Sequence, residues 1–77
     1  MSVEKYVMLL DKFYEEESWY EKGRIAAEMY SLKYGVDPQD LKEDILSGKL
    51  DDDRSATARE MDRGGVAWCD EQLAARS

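Results

Sequence analysis

The sequence contains no histidine, one cysteine and one proline in 77 residues. Without histidine it lacks the commonest general base and the commonest metal ligand. A single cysteine, Cys69, allows neither an internal disulfide nor a zinc site built from several cysteines. The five glycines form no phosphate-binding loop and no dinucleotide-binding motif. We therefore predict that the chain is not an enzyme and holds no metal or other cofactor.

Long apolar segments are also missing. The longest apolar run extends from Tyr6 to Leu10, far short of the roughly 20 residues that a membrane-spanning helix needs. The first residues include an acid and show no signal-peptide pattern. These features predict a soluble, cytoplasmic protein. Because domains contain roughly 50 residues or more, we expect residues 1–77 to form a single helical domain.

Basic residues are outnumbered by acidic ones. Eighteen Asp and Glu against eleven Lys and Arg leave a formal charge of −7. Seven acids and two bases in residues 35–53 give that segment −5 of the total. Binding to nucleic acids or to anionic membranes requires clustered Lys and Arg, so neither is expected as a direct partner. The favoured partner is a basic surface on another protein.

The periodicity of apolar residues predicts an all-α protein, a small three- to four-helix bundle with helices near 3–16, 19–34, 38–47 and 54–75. Ser2 is the expected N-cap of the first helix. The side chains that share one face of this helix, and are expected to pack on the rest of the chain, are Val3, Tyr6, Leu9, Leu10, Phe13 and Tyr14.

A break is expected near Ser18. Ser18 and Glu21 match a capping box, in which each side chain accepts a backbone N–H from the other residue. Continuing the first helix would also place Glu17 within its apolar face. The alternative is one long bent helix over residues 3–34.

The second helix carries two apolar stripes, so we expect it to be central and to touch two neighbours. One stripe contains Trp19, Gly23, Ala26, Ala27, Tyr30 and Tyr34, and the other contains Ile25, Met29 and Leu32. Gly35 is suited to the C′ position. Asp37 followed by Pro38 then predicts an N-cap and first residue of a short third helix, which Gly48 would end.

The last helix is expected to pass through Gly64 and Gly65, because its apolar phase continues across both glycines. Gly65 would lie on the buried side and allow close approach of another helix or of the Trp19 ring. Cys69 falls on the same buried side, where a free cysteine acts as a small hydrophobe. Asp52 or Asp53 is the expected N-cap of this helix.

The candidate partner-binding segment is acidic. It comprises Asp37, Asp40, Glu43, Asp44, Asp51, Asp52 and Asp53. Carboxylates at helical spacing can stand in for the phosphates of a nucleic acid on a basic surface, and such a surface steers association. The alternative is that these residues are helix caps and a solvated face.

Aromatic residues supply the second part of the candidate site. Tyr14, Tyr20 and Tyr34 are the candidates for contact with a partner, of which we expect one or two to be exposed. We expect Phe13, Trp19 and Tyr30 to pack in the core.

No specific family motif occurs in the sequence. In size, acidity and lack of catalytic groups, however, the chain resembles the small inhibitors that bacteriophages direct against host machinery, including anti-CRISPR proteins. The leading hypothesis is a non-enzymatic protein-binding module that occludes a basic surface on a partner protein, with a nucleic-acid-binding groove as one candidate for that surface. The alternatives are a structural homodimer or assembly subunit that pairs through the second stripe of the central helix, and a helix-turn-helix DNA-binding regulator that uses Arg54, Arg59 and Arg63.

Overall fold

The computed structural model describes residues 3–48 and 55–76. Within these ranges the chain forms four helices and no strand: α1 (Val3–Glu15), α2 (Trp19–Tyr34), α3 (Pro38–Ser47) and α4 (Ala56–Arg76). The all-α class and the order of helices are therefore confirmed. The limits of α2 and α3 agree with the prediction, whereas those of α1 and α4 differ by one or two residues. The predicted cap at Ser2 lies outside the described residues.

A short non-helical connection separates α1 from α2, so the alternative of one continuous helix is wrong. Ser18 is the N-cap of α2, and its side chain accepts the Glu21 N–H at 3.4 Å. The reciprocal half of the capping box does not form. Instead, the Ser18 N–H donates to the Glu16 carboxylate at 3.1 Å, and the Glu21 carboxylate accepts from Arg24 at 3.2 Å.

The turn signals around α3 act as the sequence predicts. Gly35 and Gly48 follow α2 and α3 with φ of 65° and 78°, in the left-handed region that glycine tolerates best. The Asp37 side chain accepts the Gln39 N–H at 3.0 Å, and Pro38 occupies the first helical turn, where no N–H is required. Local chemistry therefore fixes both ends of α3.

The cap of α4 differs from the prediction. The Ser55 hydroxyl accepts the Ala58 N–H at 3.2 Å, and the Ser55 carbonyl accepts the Arg59 N–H at 3.1 Å. Ser55 therefore satisfies groups that would otherwise be unpaired at the start of the helix. Asp52 and Asp53, the predicted caps, lie outside the described residues.

The backbones of α2 and α4 come into direct contact through two glycines. A Cβ atom added to Gly23 would overlap the carbonyl of Met61, and one added to Gly64 would overlap the carbonyl of Tyr20. The pair of contacts is reciprocal, with one glycine on each helix. The continuous α4 predicted through its two glycines is confirmed, and this close approach makes α2 and α4 the most extensively packed pair.

Gly65 faces side chains rather than backbone. A Cβ atom there would lie 3.0 Å from Cδ1 of Ile45 and 3.7 Å from Cβ of Ala27. Trp19 does not fill this position, and the prediction that it packs in the core is wrong, because it is 45% exposed. As the first residue of α2, Trp19 lies at the edge of the packed region.

The core lies among α2, α3 and α4. It consists of Ala27, Leu41, Trp68 and Cys69, and Leu41 and Cys69 are fully buried. Burial of a leucine side chain contributes about 2 kcal/mol. Tyr30, which was predicted to pack in the core, is half-buried and packs against this cluster.

Helix α1 adds little to this core. Among the described helices it contacts α2 alone, and its one buried side chain is Leu9. Phe13 is half-buried, but Val3 and Tyr14 are 68% and 73% exposed. The packed face of α1 is therefore narrower than the sequence predicts, because a single neighbour covers only one side of it.

Candidate functional site

Asp37, the first member of the predicted acidic segment, is used within the fold. Besides capping α3, its carboxylate accepts a hydrogen bond from Arg76 Nη2 at 2.5 Å, which ties α3 to the end of α4. The Arg76 guanidinium, followed by the Gln39 N–H, lowers the pKa of Asp37 below its ordinary value. These bonds occupy both oxygens of the carboxylate, which leaves Asp37 poorly suited to bind a partner.

The other described acids of this segment differ in their availability. Asp40 and Glu43 are exposed, and Glu43 accepts a hydrogen bond from Gln39 at 3.2 Å. Asp44 is half-buried and already has an interaction within the chain. The remaining predicted acids, Asp51, Asp52 and Asp53, lie outside the described residues. Two exposed carboxylates on α3 are therefore what the described structure offers a partner from this segment.

The three predicted tyrosines do not come together. Tyr14 and Tyr34 are exposed, whereas Tyr20 is half-buried. The Tyr14 ring meets Phe13 edge to face at a centroid distance of 5.7 Å, and the Tyr34 ring lies 4.7 Å from that of Tyr30. Because α2 folds back along α1, Tyr14 and Tyr34 mark the two ends of the α1–α2 face.

An apolar stripe runs along the outside of α1 between these ends. Its four members, which we call the α1 stripe, are Val3, Val7, Leu10 and Tyr14. They lie at positions i, i+4, i+7 and i+11, the spacing of residues that share one line along a helix. Leu10 is half-buried and the other three are exposed. A contiguous exposed apolar surface of this kind is typical of an interaction site.

Three exposed carboxylates border the α1 stripe on the side away from α2. This acidic row comprises Glu4, Asp11 and Glu15. Their spacing of i, i+7 and i+11 aligns them beside the stripe along the whole of α1. No ion pair within residues 3–48 and 55–76 engages any of the three. The acidic row was not among the predicted binding residues, although the sequence alone shows its helical spacing.

On its other side, the α1 stripe adjoins a groove between α1 and α2. The groove has a volume of about 240 Å³, smaller than a typical small-molecule site. Its lining, almost wholly apolar, consists of Tyr6, Leu10, Phe13, Ala26, Met29, Tyr30, Lys33 and Tyr34. We call it the α1–α2 groove. Met29 therefore packs towards α1, and the other members of the second stripe of α2, Ile25 and Leu32, are half-buried.

A larger cleft of about 730 Å³ lies between α3 and α4 and is bordered by Tyr20. Its charged side chains are of both signs, and several are already paired. Asp70 accepts from Lys42 at 2.6 Å, and Arg63 pairs with Glu60 at 3.4 Å. The cleft therefore presents no concentration of one charge.

Cys69 is the one nucleophilic thiol of the chain, and it is inaccessible. Burial, with a smaller contribution from Asp70, raises the pKa of its thiol to about 11. A thiol with a raised pKa is mostly protonated near neutral pH and is a poor nucleophile. Cys69 accordingly serves as a small apolar side chain of the core.

Comparison with known proteins matches this chain to no family model, no curated protein and no solved structure. None of the described helices is long and apolar enough to cross a membrane. The part of the chain that the structure describes contains no group of three His, Cys, Asp or Glu side chains that could hold a metal ion. The outer face of α1 combines an exposed apolar stripe with a row of carboxylates that no ion pair engages within the described residues.

Proposed function

We propose that this chain is a non-enzymatic protein-binding module that recognises a basic surface on a partner protein. The observation that carries the proposal is the exposed α1 stripe with the acidic row beside it. Apolar contact supplies binding free energy at an interface, whereas complementary charge supplies specificity and rapid association. The formal charge of −7 over 77 residues adds long-range attraction to a basic partner.

Occlusion is the mode of action that follows. A protein of 8.9 kDa that covers a basic surface excludes the polyanion that this surface would otherwise bind. We therefore propose an inhibitor of the type that bacteriophages direct against host machinery, including anti-CRISPR proteins, acting in the cytoplasm. The carboxylates of the acidic row would take the place of phosphates on the partner.

The site in this proposal differs from the one predicted around α3. Asp37 already pairs with Arg76 and caps α3, and Asp44 already has an interaction within the chain. Asp40 and Glu43 add to the general negative potential. The acidic row, in contrast, lies next to an exposed apolar stripe, which makes α1 the better anchor.

The test compares two charge reversals of equal size. A partner recovered from native lysate is purified, and its affinity is measured at several salt concentrations for the unmodified chain, for Asp11→Lys/Glu15→Lys on α1 and for Asp40→Lys/Glu43→Lys on α3. We expect the α1 variant to bind at least about tenfold more weakly and to show a shallower salt dependence. The α3 variant should lose much less affinity.

Occlusion itself is tested by competition. The unmodified chain should displace duplex DNA or heparin from the purified partner, and the α1 variant should displace either only at higher concentration. Circular dichroism confirms that each variant is folded. Equal affinity and equal salt dependence in the unmodified chain and the α1 variant would refute the proposed mode of recognition.

A further inference from the structure

We infer that the outer face of α1 accepts an amphipathic helix of a partner protein, with basic residues along one flank of that helix. This inference rests on the proposed function and specifies the chemistry of the partner segment. It depends on three features of the same face: the α1 stripe, the acidic row and the α1–α2 groove. Each feature constrains a different property of the occupant.

The α1 stripe fixes the shape of the occupant. Val3, Val7, Leu10 and Tyr14 follow one another with alternating separations of four, three and four residues, which is the seam pattern of helices that pack side by side. The stripe is about 17 Å long, from a rise of 1.5 Å per residue. A partner helix of roughly 12 to 15 residues covers this length with its own apolar seam.

The acidic row fixes the charge of the occupant. Glu4 and Asp11 are seven residues apart, the repeat at which a neighbouring helix presents flanking side chains along a seam. Lys or Arg at those flanking positions would meet the acidic row along the whole of α1. A second copy of this chain is a poor occupant, because antiparallel pairing along the stripe sets one acidic row against the other and joins two chains of charge −7.

The α1–α2 groove determines which kind of side chain would anchor the partner helix. Its volume of about 240 Å³ and its apolar walls suit one large side chain better than a free cofactor. Tyr30 and Tyr34 are two of the α2 residues that line it, and their ring centroids are 4.7 Å apart. The partner helix should therefore place one Leu, Met or aromatic residue at the groove edge of its seam, since such residues dominate the binding free energy of interfaces.

The experiment uses the full chain and synthetic peptides. The probe is a helix-stapled amphipathic peptide of about 16 residues, with leucines along one seam and lysines on one flank. One control peptide has the same composition with the seam residues permuted, and a second has glutamate in place of every lysine. Affinity is measured by fluorescence anisotropy, and the contacted residues are located by chemical-shift perturbation of backbone amides.

Two variants test the face and two serve as matched controls. Val7→Gln/Tyr14→Gln removes exposed apolar groups of the stripe without lowering helix propensity, and Leu46→Gln does the same at an α3 residue that is 67% exposed. Asp11→Lys/Glu15→Lys and Asp40→Lys/Glu43→Lys again compare the charges of α1 and α3. All four are exposed substitutions, and circular dichroism checks their folding.

We expect the probe to bind at least about tenfold more tightly than either control peptide, to lose a similar factor with each α1 variant, and to shift amides of α1 and α2. Equal binding of the permuted peptide, or equal losses with the α3 variants, would overturn the helix inference. The proposed function would still stand if the purified partner remained sensitive to the α1 charge reversal.

Self-association is a separate outcome that would also overturn the inference. If sedimentation shows a dimer that Tyr14→Gln dissociates, the face belongs to a second copy of this chain. If the unmodified chain sediments as a monomer across the concentrations used for peptide binding, the face is open to the probe. In that case the peptide comparison decides the inference.

Discussion

Replacement of Gly64 or Gly65 by alanine tests the contact between α2 and α4. The two glycines are adjacent in one helix, so both substitutions gain the same intrinsic helix propensity, about 1 kcal/mol. They differ only in what the added methyl group meets. At Gly64 it overlaps the carbonyl of Tyr20 and approaches the Arg24 backbone nitrogen at 3.1 Å, whereas at Gly65 it meets the end of the Ile45 side chain at 3.0 Å.

The magnitudes follow from these neighbours. A backbone carbonyl of α2 cannot turn away, so α2 and α4 must move apart by about 1 Å or more to restore ordinary contact distances. Overpacking of this kind costs about 3 kcal/mol or more, which leaves Gly64→Ala about 2 kcal/mol less stable after the propensity gain. The Ile45 side chain can rotate, so Gly65→Ala should fall between no change and a gain of about 1 kcal/mol.

Urea denaturation followed by far-ultraviolet circular dichroism measures both effects. With an m-value of about 1–3 kcal/mol per molar, the midpoint of Gly64→Ala should fall by about 1 M, a large change for a domain whose stability is roughly 4–12 kcal/mol. If Gly64→Ala proved as stable as the unmodified chain, or more stable than Gly65→Ala, the direct backbone contact would be refuted.

Three further changes probe other parts of the fold. Leu41→Ala should lower the free energy of unfolding, measured by urea denaturation, by about 2–5 kcal/mol because this side chain is fully buried. The exposed control Leu46→Ala should change it by about 0.5 kcal/mol or less. Equal losses of stability in the two variants would contradict the location of the core. Cys69 should resist thiol reagents until the chain unfolds. Because burial raises the pKa of its thiol to about 11 from 9.0, the contribution of Cys69 to stability should be lost as pH rises from 9 to 11. The Cys69→Ala variant should show no such loss. Asp37→Ala should lower the melting temperature more than Asp37→Asn, which retains a capping oxygen. Because Arg76 lowers the pKa of Asp37, the stability advantage of the unmodified chain over Asp37→Asn should be present above pH 3.8 and lost at lower pH. A stability difference that persists in acid would rule out the ion pair as its source.

The ends of α2 and α3 were predictable because their signals are local. Ser18 and Asp37 cap helices by accepting N–H groups two or three residues away, and Gly35 and Gly48 adopt positive φ at the positions expected for them. Such interactions depend on a few consecutive residues, so the amino-acid sequence contains nearly all the information needed to find them.

The arrangement of surfaces was less predictable because it depends on contacts between distant residues. Trp19 matches an apolar stripe but begins α2 at the edge of the packed region. Val3 and Tyr14 match the apolar face of α1, but one neighbouring helix covers only part of that face. Periodicity shows which residues share a side of a helix, whereas the number and position of the helices that cover it follow from tertiary packing.

The use of the predicted acidic segment also depends on contacts between distant residues. Charge counting identified residues 35–53 but could not show that Asp37 pairs with Arg76, a residue 39 positions away in the chain. The acidic row of α1 was overlooked because it lies in a segment whose net charge is only −2. Its significance depends on the apolar stripe beside it, which only the packing of α1 against α2 reveals.

The separation of α1 from the core has an evolutionary consequence. The cluster of Ala27, Leu41, Trp68 and Cys69 draws on α2, α3 and α4, while α1 contributes Leu9 to its own contact with α2. Substitutions on the exposed outer side of α1 should therefore change the free energy of unfolding little, and under the proposed function they would act on the affinity for the partner. If the proposed function holds, the residues that bind the partner and the residues that form the core lie on different helices, so mutation could change binding while the fold is kept.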